Sequence, residues 1–325
     1  MTAFSRESIG LQGYGCMGLS NSYGRADDAA SIRTIHRALE LGVTLIDTAN
    51  VYGAGHNEEL VGKALAGKRD KVVLATKFGL RLPSDPEERR VNGSPAYARA
   101  RLEESLRRLN VDYIDLYYLH RVDPLVPIED SVGELAKLKQ EGKIGAIGLS
   151  EASADTLRQA QGVHPIAALQ SEFSLWERHV EADILPTANE LGIVFIAYSP
   201  LGRGFLAGSQ PTEADDRRHH HPRFQPGAVE ANAARRATIE AVAARHGVSI
   251  AQVSLAWVIA RATVPIPGTR HIAHLETNLA ANTLALSAED IAELEAAFPV
   301  GSTVGERYPA SALATVPREP VAQAG

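Results

Sequence analysis

Short apolar runs alternate with segments of helical periodicity along most of this chain. The runs predict strands at residues 9–17, 43–46, 72–76, 113–119, 144–149, 167–170, 193–197 and 264–266. Several of them, such as IGAIGL and IVFIA, are apolar throughout, which is typical of strands that are covered on both faces. Strands that alternate with helices favour a parallel α/β architecture. We therefore predict a (β/α)8 barrel, or TIM barrel, in which a helix follows each strand.

Local signals mark where several of the intervening helices begin and end. Ser94 and Pro95 fit the N-cap and the first position of a helix, and Ser249 with Gln252 fits a capping box. Gly42 follows the apolar face of an earlier helix as a stop signal. An extra C-terminal helix is predicted at residues 287–298, after the last strand. These signals support the alternation of strands and helices.

Two polar segments interrupt the alternation. Residues 208–232 contain several prolines and the run RRHHHPR, and a long loop between the seventh strand and its helix can cover a bound ligand. The segment from Pro299 is proline-rich with little periodicity, and we predict a loop across the active face that ends in disorder. The chain is interpreted as one barrel domain, residues 1–325, with an irregular tail over about residues 300–325.

The composition narrows the class of protein. The 325 residues are 45% hydrophobic and 22% charged, which is ordinary for a soluble globular protein. A formal charge of −6 argues against nucleic acid as a partner. The single cysteine, Cys16, excludes an internal disulfide framework, and no apolar run approaches membrane-spanning length. Because no signal-peptide pattern is visible either, we expect a cytoplasmic protein with no membrane partner, and its oligomeric state stays open, a monomer included.

Reactive side chains close three of the apolar runs. Asp47, Lys77 and His120 stand at the ends of these runs, and Tyr52 lies in the loop after Asp47. The C-terminal ends of barrel strands meet on one face, so these side chains should lie close together. A neighbouring ammonium lowers the pKa of a phenol, which is near 10 in water, and a carboxylate can hold that ammonium in place. An imidazole can orient a substrate oxygen, so this group predicts a proton-donating site.

Each of these residues also has a structural interpretation. Asp47 could cap a loop, and Tyr52 could pack its ring into one. Lys77 could be a surface lysine, and His120 a structural histidine. Their joint occurrence at strand ends favours catalysis. A metal-dependent hydrolase with Asp47 and His120 as ligands is a further alternative, but it lacks a second well-placed histidine, so we predict no metal site.

Longer motifs around these residues resemble a known family. Asp47 lies in LIDTANVYG, Lys77 in LATKFG and His120 in DLYYLH. The later stretches GKIGAIGLS, LQSEFSLW, AYSPLGRGFLAG and IPGTR extend the match. Together they resemble the aldo-keto reductase family over nearly the whole chain, and look most like its bacterial and plant branch, which is related to potassium-channel β-subunits.

The resemblance implies a reaction and a cofactor. Hydride would pass from NADPH to the carbon of a small aldehyde or ketone, while Tyr52 protonates the oxygen. Asp47 and Lys77 would tune Tyr52, and His120 would place the carbonyl. The alternative is a nucleotide-sensing regulatory subunit that resembles the channel β-subunits, in which turnover is incidental.

The resemblance also implies the cofactor contacts. Ser150 and Gln170 match positions that hold the nicotinamide carboxamide, and Tyr198 matches an aromatic residue that stacks on the ring. Glu151 stands where many relatives carry Asn, and its role is left open because a carboxylate cannot donate to the carboxamide oxygen. The loop expected along the pyrophosphate contains Ser199, Pro200, Leu201, Arg203 and Gly204.

The segment after the last strand is expected to hold the adenosine end of the cofactor. Gly268, Thr269 and Arg270 lead into a helix, and a hydroxyl, a guanidinium and a helix N-terminus suit a 2′-phosphate, which favours NADP over NAD. His274 and Asn278 match adenine-side positions. Simple helix capping is the structural alternative for Thr269 and Arg270.

Two further patterns are weaker. The residues expected to line the substrate pocket, or merely to pack its loops, are Tyr23, Phe78, Trp176 and Phe205. Gly13, Gly15 and Gly18 match G-x-G-x-x-G, which can mark a Rossmann dinucleotide site when a strand precedes it and a helix starts within it. That context is not predicted here, so we expect these glycines to let the first strand pass close under a ligand.

Overall fold

The computed structural model describes residues 4–82, 85 and 90–316. Its sheet has eight parallel strands that pair in chain order. The strands are β1 (Tyr14–Gly15), β2 (Leu45–Asp47), β3 (Val73–Phe78), β4 (Ile114–Leu119), β5 (Ile144–Ser150), β6 (Ala168–Glu172), β7 (Val194–Tyr198) and β8 (Val264–Pro265). The backbone N–H of Gly13 donates to the carbonyl oxygen of Pro265 at 3.0 Å, so the last strand also meets the first. The predicted TIM barrel is confirmed.

Helices surround the sheet and close its ends. They are α1 (Arg6–Ile9), α2 (Asp28–Glu40), α3 (His56–Leu65), α4 (Pro95–Leu109), α5 (Ile128–Gln140), α6 (Ala154–Val163), α7 (Ile184–Glu190), α8 (Ala228–His246), α9 (Ile250–Ala260), α10 (Ile272–Ala280), α11 (Ala288–Ala297) and α12 (Ala310–Leu313). Ser94 and Pro95 begin α4, and Ser249 makes the expected capping box of α9 with Gln252. The predicted extra C-terminal helix is α11, which is capped by Ser287.

Two apolar cores lie on the two faces of the sheet. Successive side chains of a strand point to opposite faces, and β3 illustrates the result. Leu74 and Phe78 belong to the outer core, between the strands and the helices. Ala75 belongs to the inner core, inside the barrel. Lys77 alternates with Phe78, so its side chain enters the barrel at the C-terminal end of the sheet.

The predicted first strand, residues 9–17, is wrong over most of its length. Ser5 and Ser8 form a reciprocal capping box, which makes Arg6–Ile9 a helix, and Gly10 then turns the chain with φ of 67°. Only Tyr14–Gly15 pairs as a strand, and a short 3-10 turn follows at Met17–Leu19. Ile9 belongs to the inner core, so α1 contributes to packing inside the barrel.

Gly15 lets β1 approach the chain that leaves β8. A Cβ at this position would lie 2.7 Å from the carbonyl oxygen of Ile266, and a Cβ at Gly268 would collide with the carbonyl oxygen of Gly15. The glycine motif therefore serves a contact between the first and last strands. The next α-helix begins only at Asp28, so the strand-to-helix turn of a Rossmann site does not occur here.

The polar segment after β7 contains short 3-10 turns at Arg217–His220 and Pro222–Phe224 before α8 begins. No single helix of the described chain is long and apolar enough to cross a membrane. Only α8 and α9 taken together reach that length and composition, and they are bent by 94°. Within residues 4–82, 85 and 90–316, no three His, Cys, Asp or Glu side chains are grouped to hold a metal ion.

Candidate active site

The C-terminal ends of β2, β3 and β4 bring Asp47, Lys77 and His120 together with Tyr52, which begins a 3-10 turn. Lys77 Nζ lies 2.5 Å from Asp47 Oδ1 and donates to the carbonyl oxygen of Thr48 at 2.7 Å. The same Nζ is 5.2 Å from the centroid of the Tyr52 ring. The rings of Tyr52 and His120 meet edge to face, with centroids 6.0 Å apart at 82°. All four residues therefore face one small space.

Burial controls the charges of this group. It lowers the pKa of Lys77, although the adjacent Asp47 carboxylate opposes the shift. It lowers the pKa of His120 well below the usual value, and the charges of Arg121 and Lys77 add to the effect, so the imidazole is neutral at neutral pH. Nδ1 of His120 is enclosed and has no hydrogen-bond partner among the described residues.

Tyr52 differs from the expectation drawn from the sequence. Its pKa is raised well above the usual value, first by burial and then by the Asp47 carboxylate, while Arg121 opposes the shift. The net shift is therefore opposite in sign to the lowered pKa that was expected from the sequence. The physical reason is burial, the largest effect, which disfavours the phenolate, and the Asp47 carboxylate adds to it. Tyr52 therefore holds its proton at neutral pH.

The residues expected at the nicotinamide end lie on three neighbouring strands. Ser150 and Gln170 are paired across β5 and β6, and Tyr198 ends β7 opposite Glu172. Gln170 Nε2 donates to Asp47 Oδ2 at 2.8 Å, which joins these positions to the cluster of Asp47, Tyr52, Lys77 and His120.

Glu151 follows Ser150 in the chain and is buried, with 2% of its surface exposed. Its Oε1 accepts hydrogen bonds from the Tyr198 hydroxyl at 2.8 Å and from the backbone N–H of Glu172 at 2.9 Å. Its Oε2 lies 3.1 Å from Arg307 Nη2. Burial raises the pKa of this carboxyl, but Arg307 and Arg121 outweigh it and lower the pKa to about 2. The structure thus gives Glu151 an ionic partner within the chain, the guanidinium of Arg307.

The loop after β7 is held in an unusual backbone conformation. Ser199 and Arg203 have φ of 49° and 55°, and a 3-10 turn spans Gly202–Ala207. Pro200 is buried, and the carbonyl oxygen of Leu201 accepts from the N–H of Gly204 at 2.9 Å. The Arg203 guanidinium makes two contacts with Glu172, at 2.6 and 3.0 Å. The loop is therefore already pinned to β6.

The loop after β8 is also tied to the protein. Thr269 Oγ1 accepts from the N–H of His271 at 3.1 Å, just ahead of α10, and the N-cap of that helix, His271, has no side-chain capping hydrogen bond. Arg270 donates to the carbonyl oxygens of Tyr23 at 2.9 Å and Gly24 at 3.0 Å, and also to that of Arg25. Along α10, His274 is exposed and Asn278 is buried. Gly268 is exposed at the turn.

The aromatic residues expected at the substrate pocket fall into two groups. Tyr23 is partly exposed and interacts electrostatically with Tyr52, which places it beside the catalytic group. Phe78, Trp176 and Phe205 belong to the outer core. Phe78 stacks on Tyr117 at 5.1 Å, and Trp176 stacks on Phe205 at 4.0 Å. These three rings pack the surrounding structure, which is the loop-packing alternative, and a pocket role for them has no support from their contacts.

The tail contributes residues that the sequence did not single out. The Tyr308 hydroxyl lies 2.6 Å from that of Tyr198, and the Arg203 guanidinium lies 4.9 Å from the centroid of the Tyr308 ring. Arg307 is 2% exposed. The side-chain amide of Asn232, in α8, exchanges two hydrogen bonds with the backbone of Val304, in the tail, at 2.9 and 3.0 Å. Arg307 and Tyr308 therefore lie over the C-terminal ends of the strands, as predicted for the tail. The tail is not irregular throughout, because α12 forms within it, and residues 317–325 lie outside the described residues.

Comparison with known proteins gives the same picture. The Aldo/keto reductase family model matches residues 13–298. A probable aldo-keto reductase 1 from Glycine max is 47% identical over 303 residues, which cover 91% of this chain and 87% of the relative. The structure of a glycerol dehydrogenase from Gluconobacter oxydans is similar with a TM-score of 0.81 at 34% identity, over 90% of this chain and 93% of that one.

A second solved structure is an aldo/keto reductase from Klebsiella pneumoniae in complex with NADP and acetate. It is similar with a TM-score of 0.73 at 28% identity, over 93% of this chain and 95% of that one. The family match, the soybean relative and the barrel agree with one another and with the motifs around Asp47, Lys77 and His120. This chain belongs to the aldo/keto reductase family.

Proposed function

We propose that this protein reduces small aldehydes or ketones to alcohols with NADPH, and that Tyr52 is the general acid. The observation that supports the proposal most is the enclosed Lys77–Asp47 pair, 2.5 Å apart, beside the rings of Tyr52 and His120. A phenol that holds its proton at neutral pH can give it to the strongly basic oxygen that forms when a carbonyl is reduced.

Membership of the family makes the chain an oxidoreductase that uses a nicotinamide cofactor, and the Klebsiella relative was solved with NADP. The donors present suit such a group. Ser150, Gln170 and Tyr198 offer a hydroxyl, an amide and an aromatic ring for the nicotinamide. Residues 199–204 offer backbone N–H groups and the Arg203 guanidinium for the pyrophosphate, and residues 268–278 offer a hydroxyl and a helix N-terminus for the adenosine phosphate. When bound, NADPH supplies the hydride.

The protein's own groups orient the carbonyl and move one proton. Neutral His120 can donate a hydrogen bond to the carbonyl oxygen without competing as an acid. Tyr52 Oη then transfers its proton to that oxygen. Lys77 holds positive charge near the phenolate that is left, and Asp47 holds Lys77 in place through a contact that Gln170 also supports. Hydrogen bonds that are fixed before the reaction cost no reorganisation when the charge develops.

A panel of aldehydes and ketones, followed by the loss of NADPH absorbance, tests this function. Steady turnover with a simple aldehyde is expected, and Tyr52→Phe should reduce the rate by about 10²–10⁴-fold, because it removes one general acid. NADPH affinity, measured by fluorescence titration, should stay nearly unchanged. Near-wild-type turnover in Tyr52→Phe would refute the assigned acid. Tight NADPH binding with negligible turnover in the wild type would instead favour a nucleotide-sensing subunit.

The cytoplasmic location predicted from the sequence is kept as part of this proposal. Cys16 is completely buried, and burial raises the pKa of its thiol, so it is an inert apolar residue in this protein. A free buried thiol fits a reducing compartment. Fractionation of the source cells followed by immunoblotting would test the location.

A further inference from the structure

Arg121 is a buried arginine whose charge has no ionic partner among the described residues. It follows His120 at the end of β4 and is 7% exposed. Its Nη1 donates to the carbonyl oxygen of His120 at 2.7 Å and to Ser150 Oγ at 3.2 Å. Its Nε is enclosed without a hydrogen-bond partner among the described residues. Among these described residues, no carboxylate lies within ion-pair distance of the Arg121 guanidinium.

The other enclosed arginines around this face are all paired. Arg203 faces Glu172 at 2.6 Å, and Arg307 faces Glu151 at 3.1 Å. The same holds in the loop after β7, for Arg218 with Asp216 at 2.6 Å and for Arg223 with Glu177 at 2.5 Å. Burial of a charge without a partner is costly. Arg121 is therefore an exception within a set of similar side chains.

Arg121 lies among the residues of the candidate active site. The groups with which it interacts over longer distances are Tyr52, Tyr198, Tyr308 and Glu151, which all belong to the candidate active site. Glu151 is already neutralised by Arg307. Lys77 and Asp47 neutralise each other, and His120 is neutral. The reaction space therefore carries one uncompensated positive charge, next to the residue that receives the carbonyl.

We propose that Arg121 binds a carboxylate of the substrate, and that the preferred substrates are small aldehydes or ketones that also carry a carboxylate a few bonds from the carbonyl group. This inference rests on the proposed carbonyl reduction and names its substrate class. A guanidinium offers two parallel N–H donors to a carboxylate, so it fixes orientation as well as charge. The carboxylate is not changed in the reaction. It anchors the substrate so that the carbonyl oxygen lies between Tyr52 and His120.

The competing interpretation is that Arg121 only positions its neighbours. Its contact with Ser150 could orient that hydroxyl toward the cofactor, and its contact with the His120 carbonyl could stiffen the end of β4. A positioning role would affect every substrate equally and would also affect NADPH binding. A carboxylate-binding role would affect only substrates that carry the charge.

The test compares 4-oxobutanoate with N,N-dimethyl-4-oxobutanamide, which carries the same aldehyde without the charge and has no amide N–H that could close on the aldehyde. In the wild type, kcat/KM for the acid is expected to exceed that for the amide by about 10- to 100-fold, the range of a hydrogen bond to a charged group. In Arg121→Gln this preference should disappear because kcat/KM falls for the acid and stays unchanged for the amide. Arg121→Lys should restore part of the preference. Arg33→Gln, at an exposed position, is the control for general electrostatic effects.

A measurement on the wild type alone protects the test against a variant that does not fold. Butanoate should compete with a neutral aldehyde for the NADPH complex at least about tenfold more strongly than butanamide. Equal reduction of acid and amide by the wild type, or an equal loss for both in Arg121→Gln, would overturn the carboxylate site and leave the reductase standing. No reduction of any aldehyde would overturn the reductase proposal and this inference with it.

Discussion

Glu151→Gln tests whether charge holds the tail over the active site. The carboxyl of Glu151 has an ordinary pKa of 4.5, which the folded protein lowers to about 2, mainly because the Arg307 and Arg121 charges outweigh the effect of burial. Each pKa unit corresponds to about 1.4 kcal/mol, so the ionised carboxylate contributes about 3 kcal/mol to the free energy of unfolding. Because the folded pKa is the lower one, this stability is present above about pH 4.5 and is lost as the pH falls towards about 2.

Urea unfolding of the wild type and the variant at about pH 7 and about pH 3 measures this contribution. At neutral pH the variant should lose about 3 kcal/mol, since it removes the charge that Arg307 contacts at 3.1 Å. The difference in unfolding free energy between wild type and variant should narrow in acid. Glu190→Gln is the matched control, because Glu190 also pairs with an arginine, Arg158, at 2.8 Å but is 64% exposed. Exposed pairs contribute about 0–1 kcal/mol. Equal losses in the two variants, with the same acid dependence, would refute the reasoning.

Three further predictions concern the reaction and the cofactor. Lys77→Met should abolish most reduction with NADPH binding retained in titrations, because the unopposed Asp47 raises the Tyr52 pKa further; a change in melting temperature alone would make Lys77 structural. The rate of reduction should stay level through neutral pH and fall only where Lys77, whose pKa burial lowers from 10.5, loses its charge, because the Tyr52 pKa lies well above its usual value. A fall near neutral pH in the pH–rate profile would contradict this. Arg270→Ala should weaken NADPH binding by about 1.5–3 kcal/mol and NADH binding less, and equal losses in the two titrations would mean that Arg270 only supports the loop.

The strands and the residues at their ends could be predicted because their causes are local. A parallel strand that is covered on both faces needs an apolar run, and the end of that run marks the end of the strand that faces the loops. Lys77 and His120 were found in this way, at the ends of β3 and β4. The prediction of the first strand failed for an equally local reason, since the capping box of Ser5 and Ser8 makes the start of that segment a helix.

The partners of Glu151 could not be predicted, because they lie far away in the sequence. Arg307 is 156 residues from Glu151, and Tyr308 is 110 residues from Tyr198. No periodicity or motif relates such positions, and the tail has the composition of an irregular loop. The departure from Asn at position 151 was visible, but only the fold shows what the carboxylate binds. The direction of the Tyr52 pKa shift could not be predicted either. It depends on burial, and the charged residues near Tyr52 in the sequence do not show how deeply its side chain is buried.

The paired arginines also bear on how the cofactor would bind. Arg203 and Arg270 are the guanidinium groups expected to meet its phosphates, yet Arg203 is bound by both Glu172 oxygens and Arg270 by the carbonyl oxygens of residues 23–25. A phosphate that binds Arg203 must replace or share a buried carboxylate contact, so part of the favourable interaction is offset by the contact that is lost. For Arg270 the lost contacts are neutral carbonyl groups and the partly exposed Glu213 carboxylate at 3.9 Å, and a charged phosphate outcompetes these more easily. We therefore expect the contact between Arg270 and the 2′-phosphate to contribute more to the binding free energy of NADPH than the contact between Arg203 and the pyrophosphate.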